Sequence, residues 1–119
     1  MRTTTALAAA ALLSGAAYAD TWTAAYDNTI LSTYADGRVV KVFVNADHTY
    51  SIALPDGNKL TGTWADANAD GKSCFTLTDP PPKPGDKPVC LPAKEYKLGD
   101  SFEGEDPTGK FTGVFQAGR

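Results

Sequence analysis

Turn-forming residues recur roughly every ten positions along most of this chain. The clusters are Ala35-Asp36-Gly37, Asn45-Ala46-Asp47, Pro55-Asp56-Gly57-Asn58, Asp66 to Gly71, Pro84-Gly85-Asp86, Leu98-Gly99-Asp100 and Asp106-Pro107-Thr108-Gly109. Between them lie short runs rich in Val, Ile, Thr, Tyr, Phe and Trp, side chains that suit a pleated, half-buried surface. The spacing predicts an all-β fold: a small antiparallel meander barrel or sandwich of six to eight strands, with one disulfide and no substantial helix. Alternation of period two supports it. Tyr50, Ile52 and Leu54 fall on one face, opposite Thr49, Ser51 and Ala53. Val40, Val42 and Val44 share a face, while Val39 and Phe43 make the other side of that strand apolar too. A strand with two apolar faces is expected to be central or covered by the terminal segments.

The first nineteen residues are set apart from this pattern. A positive start at Met1-Arg2, the apolar run Ala6 to Leu13, and small residues ending in Ala17 and Ala19 have the order of a secretory signal peptide cleaved after Ala19. The run is much shorter than the roughly 20 residues of a bilayer span, and nothing later approaches that length. The expected mature chain is therefore a single small β domain, residues 20–119, periplasmic or extracellular. In an oxidising compartment, Cys74 and Cys90 are expected to form a disulfide. Neither C-x-x-C spacing nor nearby histidines favours a metal or redox role. The bridge would tie two short strands on either side of a stiff loop, Asp79 to Pro88. The formal net charge of -3, with Lys and Arg scattered singly, argues against a nucleic-acid partner.

Two segments echo each other. Lys59-Leu60-Thr61-Gly62-Thr63-Trp64 and Lys110-Phe111-Thr112-Gly113-Val114-Phe115 both read Lys-apolar-Thr-Gly-x-aromatic, each after a proline-containing turn. Two structural half-repeats, or reuse of one turn chemistry by two hairpins, would produce the match. A glycine inside a strand marks a bulge or a bulky neighbour lying across the backbone. Trp22 or Trp64 is the expected neighbour.

The sharpest site motif is Asp66-Ala67-Asn68-Ala69-Asp70-Gly71. Asp66, Asn68, Asp70 and Gly71 match the first half of an EF-hand calcium loop. Position 12 of such a loop, normally a bidentate glutamate, would be Leu77, and the flanks read as strands rather than helices. The same letters describe a polar hairpin turn, since Asp and Asn bond their own backbone there. The turn is the expected reading, and no metal or other cofactor is predicted.

Catalytic patterns are weaker. His48 stands beside Asp47 at a hairpin start, with no second histidine for a zinc pair and no nucleophile elbow. Asp100, Glu103, Glu105 and Asp106 could imitate a glycosidase carboxylate pair, but Glu103 and Glu105 alternate with Phe102 and Gly104 as the wet face of a strand. A domain of this size is not expected to enclose a substrate pocket, and no enzymatic activity is predicted. The distinctive exposed feature is the loop carrying Pro81, Pro82, Lys83 and Pro84. Its prolines would limit the entropy lost on docking into a partner's groove, or simply block strand pairing.

Along Tyr26 to Arg119 the chain resembles a loose set of small exported bacterial β proteins of unassigned role. The residues that carry this are Gly62-Thr63-Trp64, Cys74, Cys90 and the Ala117-Gly118-Arg119 tail. That resemblance implies export and a small β fold. Over Leu60 to Thr78, Gly62-Thr63-Trp64 followed by Asp70-Gly71-Lys72-Ser73-Cys74 is similar to the run that opens the bacterial metalloprotease-inhibitor barrel. No inhibitory residue of that family maps onto this chain. The expected function is binding or structural, with another exported protein as the candidate partner. The alternative is inhibition of a secreted hydrolase through the stapled loop.

Overall fold

A computed structural model describes residues 21–119 and contains eight antiparallel strands in one sheet. They are β1 (Thr29–Tyr34), β2 (Val39–Val44), β3 (Thr49–Ala53), β4 (Lys59–Trp64), β5 (Lys72–Asp79), β6 (Val89–Pro92), β7 (Ser101–Asp106) and β8 (Gly109–Gln116). The expected signal segment and its cleavage point lie outside the described residues. The strand order is β6-β5-β4-β3-β2-β1-β8-β7. The first six strands form a meander, and the final hairpin returns to pair β8 with β1, from Thr29↔Gln116 to Tyr34↔Phe111. The free edges of β6 and β7 then come together, with the Leu91 side chain against Gly104. The result is a nearly closed barrel, at the upper end of the expected strand number.

The turns explain the register. In β1–β2 the Gly37 N–H donates to the Tyr34 carbonyl and the Tyr34 N–H to that of Arg38, with Gly37 at φ 91°. The β3–β4 and β4–β5 connections repeat the pattern around Gly57 and Gly71. This is the type I turn plus left-handed residue that makes a compact hairpin. In β2–β3 His48 takes the left-handed position, at φ 68°.

Alternation then sorts the side chains. Val40, Val42 and Val44 point inward together, as do Tyr50 and Ile52. Lys41 is on the outside, and Phe43 there is covered by the Arg119 guanidinium, 5.2 Å from its ring centre. The strand is central, between β1 and β3, and Arg119 covers Phe43 while Val39 remains exposed. Cys74 and Cys90 sit directly opposite each other on β5 and β6, with Cα atoms 4.0 Å apart and sulfurs at 2.01 Å. Cys90 is exposed, so the bridge staples an edge strand from outside the core. Closing a loop of this length removes denatured-state entropy equivalent to about 3 kcal/mol. Urea unfolding with and without reductant is expected to show that loss. Coincident midpoints would mean that β6 is held by packing alone.

The two echoed segments are β4 and β8, and their glycines have a common packing reason. Gly62 lies opposite Tyr50, and Gly113 lies opposite Phe102. In each hairpin the aromatic ring of the first strand lies across the glycine of the second. Neither tryptophan fills this role. Tyr50 and Phe102 are nearer because they are the direct cross-strand partners, and a large residue opposite a small one is how a small barrel fills its interior.

One end of the barrel is plugged. Thr23–Ala25 form a single 3-10 turn that carries Trp22 into the interior, 1% exposed, where its Nε1 donates to the fully buried Ser73 Oγ at 2.9 Å. Phe75, Tyr96, Phe102 and Phe115 surround the indole with centroids 5.1–6.1 Å away. Such rings, edge-on or offset, bury large areas in favourable geometry. Arg119 fastens this end, its guanidinium donating to the carbonyls of Asn28, Ala25 and Val44 and to Asn45 Oδ1.

Candidate functional site

Strand direction places the turns 35–38, 54–58 and 107–108 and the proline loop 80–88 at the end opposite the plug. Here the interior positions are only half covered. Val42, Ile52 and Val89 are partly buried, and together with Val40 they lead down to Ile30, Phe75 and the Trp22 plug. The space they enclose is a cavity of about 70 Å³. The lining is aliphatic and aromatic apart from Ser32, Tyr34 and Asp106. A cavity of this size is smaller than a substrate pocket, which occupies roughly 300–1,000 Å³. The paired glycines leave room for rings to lie flat against the wall, and closure of the sheet does the rest.

A polar group occupies one side of this mouth. The Tyr34 hydroxyl donates to Asp106 Oδ2 at 2.5 Å, while Asp106 Oδ1 accepts from the Thr108 N–H at 2.7 Å and the Thr108 hydroxyl at 2.6 Å. Burial, with Asp106 as acceptor and negative neighbour, pushes the Tyr34 phenol well above its ordinary pKa. The Arg38 guanidinium lies 4.0 Å from the Tyr34 ring centre and donates from Nη2 to Thr108 Oγ1 at 2.9 Å. Arg38 Nε is shielded from solvent and has no hydrogen-bond partner. The group binds β1, β7 and the turns beside them, so residues far apart in sequence meet at one edge of the opening. Deeper down, desolvation raises the Tyr50 phenol to about 12. It remains neutral at any physiological pH and acts as wall.

The motifs singled out from sequence lie elsewhere or act as turns. Asn68 Oδ1 accepts from the Asp70 and Lys72 N–H groups, at 2.9 and 3.1 Å, and so closes its own turn. Asp66 is drawn aside to His48 Nε2 at 3.2 Å. Among the described residues, no group of three His, Cys, Asp or Glu side chains is placed to hold a metal. His48 stacks on Trp64 at 4.4 Å, on the plugged end. Of the acidic cluster, Glu103 and Glu105 are exposed outside β7 as expected, but Asp106 has inward parity and enters the mouth.

The loop carrying Pro81, Pro82, Lys83 and Pro84 is exposed throughout, with the Lys83 N–H donating to Asp86 Oδ2 at 2.8 Å. It follows a cis Asp79–Pro80 bond and stands at the same end as the cavity mouth. Tyr34 and Arg38 were not singled out by the sequence reading. A usable signal was present: an aspartate at an inward position of a strand, Asp106 in register with Phe102, requires partners inside. Among the described residues, no helix is long and apolar enough to cross a membrane. Comparison with known protein families, with curated proteins and with solved structures gives no match for this chain.

Proposed function

We propose that the protein is an exported, non-enzymatic binding protein that takes the end of an aliphatic chain into the open mouth of its barrel. The observation that carries this reading is the apolar cavity of about 70 Å³, open at one end and closed at the other by Trp22. Ligand sites are concave, mostly apolar, and lined by few polar groups, and the mouth of a β-barrel is a usual place for them. Size selects the ligand class. A cavity of about 150 Å³ admits benzene, so half that volume suits a narrow chain end better than a ring.

Thermal melts with straight-chain alcohols of increasing length test the reading. A ligand that binds only the native state at a hundred times its Kd stabilises by about 2.7 kcal/mol, so the melting temperature is expected to climb by roughly 10–20 °C. Val42→Phe, which fills the mouth, is expected to remove that response. If no chain length shifts the wild-type melt, the proposal fails.

The stapled loop supports a second reading, inhibition of a secreted hydrolase that would be the exported partner. Its basis is that residues 80–88 are exposed and anchored beside the Cys74–Cys90 bridge. Inhibition that disappears when Pro81 to Pro84 are replaced by Gly-Ser would favour it.

A further inference from the structure

We infer that the chain entering the mouth carries a hydroxyl a few carbons from its inserted end, and that Ser32 recognises that hydroxyl. The inference rests on the aliphatic-chain reading above and specifies where along the chain its oxygen lies. Ser32 occupies an inward position of β1, two residues from Tyr34 toward the plug, and so stands roughly 7 Å below the rim along the strand. It lines the cavity and is 3% exposed. Among the described residues its hydroxyl has no hydrogen-bond partner, and unlike Arg38 Nε it opens onto the cavity rather than being sealed in the wall. The other polar groups near it are committed. The Tyr34 hydroxyl donates to Asp106 Oδ2, Thr108 donates twice to Asp106 Oδ1, and Trp22 Nε1 on the floor donates to Ser73. The Tyr50 phenol also has no partner, but its ring is laid across Gly62 in the β3–β4 wall, away from the path that β1 offers from the rim.

A buried hydroxyl without a partner bears a desolvation cost that a ligand can remove. Serine offers one donor and two acceptor sites, so it matches another hydroxyl in either sense. Charge narrows the choice further. No lysine, arginine or histidine lines the cavity, whereas Asp106 does. An anionic ligand end would meet a negative neighbour with no cation to offset it, and the apolar surroundings strengthen that repulsion. A hydroxyl brings no charge, and Asp106 Oδ2, which accepts only from Tyr34, is a further acceptor for its proton. Beyond Ser32 the walls are Ile30, Val44 and Phe75, which offer carbon surface alone. The inserted carbons therefore pass Ser32, and the oxygen stops level with it. The volume of about 70 Å³ limits the part beyond Ser32 to a few carbons.

The test holds a short tail constant and changes its polar end. Butan-1-ol, 1-chlorobutane, butanoate and butylammonium are titrated into wild type, Ser32→Ala and Tyr50→Phe, with the methyl resonances of Val42 and Ile52 followed by NMR. A purely apolar cavity would favour the chloride, because a hydroxyl leaves water at a cost unless it gains a partner. In wild type butan-1-ol is instead expected to bind at least as tightly as 1-chlorobutane, with butanoate weakest. Ser32→Ala should weaken butan-1-ol by about fivefold, the effect of one neutral hydrogen bond, and leave 1-chlorobutane unchanged or tighter. Tyr50→Phe should keep the wild-type order. If Ser32→Ala does not fold, the wild-type order decides, and chloride ahead of alcohol overturns the inference. Equal effects of Ser32→Ala on alcohol and chloride, or loss of the alcohol preference in Tyr50→Phe instead, would overturn it and leave the tail site standing. Tightest binding by butylammonium would overturn it in favour of charge recognition by Asp106. Binding of none of the four, while longer alcohols still raise the melting temperature, would overturn this inference alone. If the longer alcohols also have no effect, both readings fail.

Discussion

Replacing Trp22 with alanine is expected to remove about 3–5 kcal/mol of stability, a large part of the total for a domain with marginal stability of about 5–15 kcal/mol. Two losses combine. The indole is 1% exposed among Phe75, Tyr96, Phe102 and Phe115, so its removal leaves a void that four rings cannot all close. The Ser73 hydroxyl, with no accessible surface, also loses its donor. A buried polar group stripped of its partner bears a full desolvation penalty. Trp22→Phe separates the terms, because it keeps most of the apolar volume while still orphaning Ser73. Adding Ser73→Ala to Trp22→Phe should recover part of the loss, since removing both partners costs less than removing one. Urea unfolding of the three variants measures this. A loss below about 1 kcal/mol for Trp22→Ala would mean that the plug is peripheral.

The plug also shapes the proposed site. Trp22 lines the floor of the cavity, so its removal would deepen the cavity from below rather than widen the mouth. In a variant stabilised enough to remain folded, longer chains should gain affinity relative to short ones. The floor and the mouth are thus set by different parts of the chain: an N-terminal 3-10 turn closes one end, and the β1–β2 and β7–β8 hairpins furnish the other.

How much of this the sequence disclosed follows from the range of the forces involved. Strands and turns are local, so the alternation of Tyr50 with Ile52 and of Val40 with Val42 and Val44 gave their common inward face directly. The polar turn at Asp66 to Gly71 was legible for the same reason, because Asn68 bonds N–H groups only two and four residues away. Closure was not legible. It depends on β8 returning to β1, which no local pattern encodes, and the mouth depends on closure. Tyr34 and Asp106 meet across 72 positions, and Arg38 and Thr108 across 70. Trp22 was expected across a strand glycine and not as a plug, because it precedes the alternating region, in a stretch with no strand or helix pattern of its own. The identity of the residues crossing the glycines was missed because it depends on register, which places Tyr50 and not a tryptophan opposite Gly62.

That register leads to the second large effect. Gly62→Ala is expected to cost about 3 kcal/mol or more, beyond the usual range for an added methyl in a packed interior. A Cβ at Gly62 would lie 2.2 Å from the Thr76 carbonyl oxygen and 3.0 Å from Leu77 Cα, both backbone atoms of β5, and 2.7 Å from the Tyr50 ring. A side chain can rotate away, but a neighbouring strand must be displaced. The β4–β5 register also shifts between Thr61 and Gly62, at the point where the β5 backbone lies this close. Gly113→Ala is the informative comparison. Its Cβ would meet Phe102 ring atoms at 2.6 and 2.8 Å and Ile30 Cγ2 at 3.1 Å, all in side chains, so a tilt of one ring absorbs part of the clash and the expected loss is about 1–3 kcal/mol. Alanine also stiffens the unfolded chain by a similar small amount at both sites, and this cancels in the comparison. Urea midpoints for the two variants should therefore fall well apart, with Gly62→Ala the lower. Equal midpoints would show that β5 yields as readily as a phenyl ring, and the close approach of β4 to β5 would then not be the constraint that keeps a glycine in the barrel wall.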